Sequence, residues 1–109
     1  MKLRISGGYT AAVVLDLVDR LGRDLTGSTF QVALLAPEVT EAGVPAAGAG
    51  AWKTPTGVDT STPGLAVLTW AISEGTGYAV GVRYRAWAKA AVSPFLLLAK
   101  ARDETIELV

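Results

Sequence analysis

Tyr9-Thr10-Ala11-Ala12-Val13-Val14-Leu15-Asp16-Leu17-Val18 is the stretch on which the fold class turns. Read with a period of two, Val13, Leu15 and Leu17 share one face of a strand, and Asp16 faces the other side with Val14 and Val18. Read as a helix, Ala11, Val14, Leu15, Val18 and Leu21 fall on one face, with Gly22 as a C-cap. The β-branched Val13, Val14 and Val18 lose rotamer freedom in a helix and pack well on a pleated surface, which favours the strand.

The same pattern continues on both sides. Leu3 to Ile5 makes a short first strand, ended by Gly7-Gly8. Thr29 to Leu35 alternates, with Phe30, Val32 and Leu34 one way and Thr29, Gln31 and Ala33 the other. Pro37 to Gly50 reads as an extended, mobile loop rich in Ala, Gly and Pro. Trp52-Lys53-Thr54 makes a short strand stopped at Pro55, and Thr56 to Gly64 is turn-rich. In Leu65 to Ile72, Leu65, Val67 and Thr69 oppose Ala66, Leu68 and Trp70. Ser73-Glu74-Gly75-Thr76-Gly77 is a turn. Tyr78 to Trp87 reads as the most regular strand, with Tyr78, Val80, Val82 and Tyr84 on one face and Gly81, Arg83 and Arg85 on the other. Ala88 to Pro94 turns the chain, and Phe95 to Ala99 and Thr105 to Val109 supply the last strands. Phe95 to Arg102 also carries a run of helix formers, but its place after a strong strand favours a hairpin partner. About seven or eight short strands between turn signals predict one all-β domain over residues 1–109, an antiparallel sandwich or barrel.

Composition narrows the function classes. Half the residues are hydrophobic and 18% are charged, against about 25% in an average soluble domain, which means either a greasy surface or surface that becomes covered, a pointer to assembly. Ten basic and ten acidic residues cancel without clustering, so there is no basic face for nucleic acid. There is no cysteine for a disulfide or thiolate site, and no histidine, the commonest general base and zinc ligand. Met1 to Ser6 has no apolar run of the signal-peptide kind, and no stretch approaches the roughly 20 residues of a membrane span.

Candidate chemistry is sparse. Asp16, Asp19 and Asp24 are the nearest approach to an acidic cluster, but Arg20 and Arg23 fall inside it and would repel a cation, so turn chemistry is the better reading. Gly75-Thr76-Gly77 lacks the lysine and the helix start that a phosphate loop needs. The serines have no histidine to activate them. No cofactor, metal site or catalytic residue is expected. Arg83 and Arg85 share a strand face near Trp70 and Trp87; this is a solvent face, a protein interface, or a stacking surface for a sugar or a single strand. Trp52, Trp70 and Trp87 read as core or core-rim residues. The terminal strands and the long loop are the candidate docking elements, giving Lys2, Leu3, Arg4, Ile5, Val39, Val44, Arg83, Arg85, Trp87, Ile106, Leu108 and Val109 as candidate interface residues.

One ordered pattern goes further. A strand ends in the turn Asp19 to Gly27, with Asp24-Leu25-Thr26-Gly27 as its tight step, and an alternating strand follows. A variable loop, a Trp-containing strand, Asp59-Thr60-Ser61-Thr62-Pro63-Gly64, the strand from Leu65 and the step Gly77-Tyr78 leading to Arg83-Tyr84-Arg85 come next. From Tyr9 to Tyr84 this resembles the small immunoglobulin-like β-sandwich modules of tailed-phage virion proteins. The resemblance implies an immunoglobulin-like antiparallel sandwich and a non-enzymatic virion structural protein, assembled in the bacterial host cytoplasm. A chain ending at Val109 fits a capsid decoration, minor capsid or head–tail subunit that docks on other virion proteins and on copies of itself, without nucleic acid or membrane. The alternatives are a baseplate or minor tail module, and a small carbohydrate-binding module built on exposed tryptophans.

Overall fold

The computed structural model describes residues 1–39, 52–75, 77–92, 95–100 and 105–109. Within them the chain forms β1 (Lys2–Leu3), β2 (Thr10–Val18), β3 (Thr29–Leu35), β4 (Gly57–Asp59), β5 (Leu65–Ser73), β6 (Arg83–Val92), β7 (Phe95–Lys100) and β8 (Ile106–Leu108). One sheet runs β1-β8-β6-β3, with β7 also joined to β6; the other runs β2-β5-β4. Trp87 to Val92 pair with β7 and Arg83 and Tyr84 pair with β8, so β7 and β8 follow one another along one edge of β6. The eight segments therefore occupy seven strand positions in a two-sheet sandwich. Its order, β2-β5-β4 against β3-β6-β8, is that of strands B-E-D against C-F-G in an immunoglobulin-type sandwich.

The core follows from the alternation. From β2, Val13, Leu15 and Leu17 face inward, and from β5, Ala66, Leu68, Trp70 and Ile72. They meet Phe30, Val32 and Leu34 of β3 and Ala86, Ala88 and Ala90 of β6. Three alanines in a row leave room for large side chains from the opposite sheet, the size complementarity that close packing requires. At one end Trp70, Tyr78 and Tyr84 meet edge to face, with centroids 5.7 and 5.6 Å apart. The Ala79 N–H donates to the Tyr84 hydroxyl at 3.1 Å. A tyrosine at the start of this strand bonded to the backbone just upstream is the tyrosine corner of such sandwiches.

The sandwich is mixed where antiparallel pairing was expected. β1 and β8 run parallel, with Lys2 opposite Glu107 and Leu3 opposite Leu108. The two ends of the chain hold each other: the Glu107 N–H donates to the Met1 carbonyl at 2.8 Å, Val109 N–H to Leu3 at 2.9 Å, and Ile5 N–H to Val109 at 2.9 Å. Four segment readings are also corrected. Tyr78 to Val82 lies outside any strand, because Gly77 and Gly81 adopt positive φ (94° and 87°) and Tyr78 turns into the core. Ala88 to Val92 continues β6, since Ala88 to Ala91 pair with β3. Trp52 to Thr54 contributes one bridge, Lys53 to Val32, and no strand. Gly57 to Asp59, read as turn, pairs with β5 because the outer edge of β5 accepts a third strand. The strand readings of the stretches from Ala11 and from Phe95 hold against the helical alternatives. Most of the long loop, including Val44, lies outside the described residues.

The turn after β2 is tied to the turn before β5. Asp19 N–H donates to the Gly64 carbonyl at 2.8 Å, and Gly64 N–H to that of Arg23 at 3.0 Å. Asp19 is the buried charged residue among those described. Its carboxylate accepts from Arg23 Nε at 2.6 Å and from the Leu21 N–H at 3.0 Å. Leu25 drops into the core, as its place in the tight turn predicts.

These bonds set the acid response. The Arg23 side-chain bond, opposed by desolvation and aided by the Leu21 N–H, holds the Asp19 carboxyl below its ordinary range. Asp24 and Asp59 are lowered by bonds from Thr26 and Ser61. A carboxyl with a depressed folded pKa contributes stability that is present above its unfolded value, near about 4, and is lost as pH falls through the folded value. Thermal unfolding should thus be nearly pH-independent from neutrality to about pH 4.5 and fall below it. Asp19→Asn should lower Tm at neutral pH and shrink the acid-induced drop; an unchanged drop would remove Asp19 from the cause.

Candidate docking surface

Alternation gives each sheet an outer face, and the two differ in what covers them. On the β1-β8-β6-β3 sheet, Ala33, Leu35 and Trp87 point outward yet are buried, in a second apolar cluster with Trp52 and, half-buried, Val39. Trp52 covers the face from the segment leading to β4, and the Lys89 ammonium sits 4.2 Å above its ring. Trp87 is 1% exposed, and its indole N–H meets no acceptor among the described residues. The rest of this face is polar: Lys2, Glu107 and Arg83 form one cross-strand row. Glu107 lies 3.8 Å from each of the two cations.

The outer face of β2-β5-β4 is different. Its rows pair Ala12 with Ala71, Val14 with Thr69 and Gly57, Asp16 with Val67 and Asp59, and Val18 with Leu65. An antiparallel sheet with one wet face ordinarily alternates apolar in and polar out. Here Val14 is 45% and Val18 58% exposed. Charge on this face comes from Asp16 and Asp59, on either side of Val67. Contiguous exposed apolar surface of this kind marks interaction sites.

The sequence-predicted site residues divide sharply. Lys2, Arg4 and Arg83 are exposed, and the Arg4 guanidinium stacks 4.3 Å from the Tyr9 ring centroid. Leu3, Val39, Arg85 and Val109 are half-buried. Ile5, Ile106 and Leu108 are fully buried in the main core, and Trp87 in the second cluster. Ile5, Ile106 and Leu108 are interior because the terminal strands turn their apolar residues onto the sandwich, and Trp87 is interior, as its core-rim reading expects, because Trp52 lies over it. Sequence reading missed Val14, Val18, Leu65 and Val67 as surface. The signal was present in β2, where the face carrying Asp16 also carries two valines.

The carboxylates do not converge. Asp19 is held by Arg23, Asp24 caps the Thr26 N–H at 3.0 Å, and Asp16 lies on the open sheet face. Among the described residues no three His, Cys, Asp or Glu are placed to hold a metal ion. The tryptophans offer no stacking platform: Trp70 is between the sheets, Trp52 and Trp87 are under one another's cover, and none exceeds 8% exposure. No protein-family model, curated protein or solved structure matches the chain.

Proposed function

We propose that this chain is a non-enzymatic structural subunit of a tailed-phage particle, a decoration, minor capsid or head–tail protein that docks on other proteins through the outer face of β2-β5-β4. The observation that carries the docking role is the apolar strip Val14, Val18, Leu65 and Val67 on a face that should otherwise be polar. The virion setting is supported by the turn-and-strand pattern from Tyr9 to Tyr84 and by the immunoglobulin-type strand order. Docking works by removing this strip from water while Asp16 and Asp59 demand cations opposite, which fixes orientation. The sugar-binding alternative loses its main support with the burial of all three tryptophans.

The test is mass spectrometry of gradient-purified particles released by the cell that carries the gene. Stoichiometric presence of the wild-type chain, and loss of a folded Val14→Lys/Val67→Lys variant from the particles, is the expected result. Absence of the wild type from particles would refute the virion setting. Normal incorporation of the variant would refute the face.

A further inference from the structure

The two outer faces carry charge of opposite sign, in rows of matching geometry. On β2-β5-β4, Asp16 and Asp59 stand at the ends of a three-strand row centred on Val67. On the other sheet, Lys2 and Arg83 stand at the ends of a three-strand row centred on Glu107. Two strand spacings separate the end members in each case, roughly 10 Å at about 4.8 Å per strand. Sheets packed face to face keep their strands aligned within about 30°, so one row can lie along the other with each aspartate over a cation. The two cations share one carboxylate at 3.8 Å, longer than a good ion pair, which leaves this corner with net positive charge. Their side chains are 75% and 70% exposed, free to reach a neighbour.

From this complementarity we infer that the occupant of the apolar face is a second copy of this chain, joined head to tail: the Asp16–Val67–Asp59 row of one copy on the Lys2–Glu107–Arg83 row of the next. This rests on the docking reading above and names its partner. A heterologous contact of this kind repeats, building rings where the rotation closes and filaments where it does not. Three residues of each copy make the row contact, far fewer than the roughly 20–30 a side of a standard stable interface, so each contact is weak in isolation.

Sedimentation velocity of the purified chain over a wide concentration range, at low and high salt, tests this. The mean mass should rise past the dimer with concentration, and high salt should suppress the rise. Asp16→Lys/Asp59→Lys should remain monomeric, and so should Lys2→Glu/Glu107→Lys/Arg83→Glu, which preserves pairing within its own row. Both should retain the wild-type circular dichroism spectrum, and the aspartate variant should lose only a little Tm, from the bond that Asp59 accepts from the Ser61 N–H. An equimolar mixture of the two should associate again, since each supplies a face the other needs. A monomeric wild type overturns the inference. So does unaltered association of the triple variant, which would mean that acidic faces pair with each other. If the wild type is monomeric while Val14→Lys/Val67→Lys is lost from particles, the docking face stands and only the second copy is rejected. If that variant is incorporated normally, the docking reading falls with it.

Discussion

Trp87→Ala should cost about 3–5 kcal/mol of unfolding free energy, the range for truncating a fully buried tryptophan. That is a large share of the roughly 5–15 kcal/mol that keeps a domain folded. The residue lies on the outer side of β6, opposite Ala33, where a solvent-facing residue would cost about 0.5 kcal/mol or less. The difference arises because Trp52 lies over it, so the substitution opens a cavity between that segment and the sheet. Trp87→Phe separates the two contributions of the indole. It keeps most of the ring burial and removes an N–H that meets no acceptor among the described residues, so about half the alanine cost or less is expected. Equilibrium urea unfolding of the three proteins measures both. A Trp87→Ala cost below about 1 kcal/mol would mean that the outer cluster contributes nothing and this face is effectively solvated.

The second large effect is a backbone one. Gly64 adopts φ +80°, and a Cβ there would stand 3.0 Å from the Gly22 Cα and 3.4 Å from its carbonyl carbon. Gly22 is itself at φ +69° but has open space where its Cβ would go. Alanine in the left-handed region costs about 1–2 kcal/mol in each case. At Gly64 the obstacle is the backbone of a turn already tied down by the Asp19 and Arg23 bonds, so it cannot yield cheaply. Gly64→Ala should therefore cost about 3 kcal/mol or more, and Gly22→Ala about 1–2. Urea unfolding of the pair isolates the close approach. Equal costs would show that the two turns can separate without loss.

The proposed docking face was half legible in the sequence. Val14 and Val18 share the face of Asp16 by simple alternation, and that was visible from the residues alone. Its extension across β5 and β4 was not, because Thr56 to Gly64 has the composition of a turn, and Gly57 to Asp59 within it becomes a strand only by pairing with β5. The long apparent strand from Tyr78 failed for a related reason. Its alternation exists in the sequence, but Gly77 and Gly81 take conformations that break the ladder, and Tyr78 is drawn into aromatic contacts with Trp70 and Tyr84.

The sequence by itself determined the strand identity of β2, β3 and β5 and which residues share a face: Val13, Leu15 and Leu17; Phe30, Val32 and Leu34; Ala66, Leu68 and Trp70. Those properties depend on neighbours two residues apart, and β-branched side chains carry them locally. It also determined that Leu25 closes a tight turn. Only the tertiary structure decided which outward residues stay in water. Trp87 and Val14 both point away from the main core; one is buried and the other exposed, because the segment at Trp52 crosses one face and no described segment covers the other. It likewise decided that Leu3 and Ile5 lie against Ile106 and Leu108, through a parallel pairing of the chain's two ends. Burial of an outward residue depends on where a distant stretch of chain comes to rest, and no local periodicity encodes that.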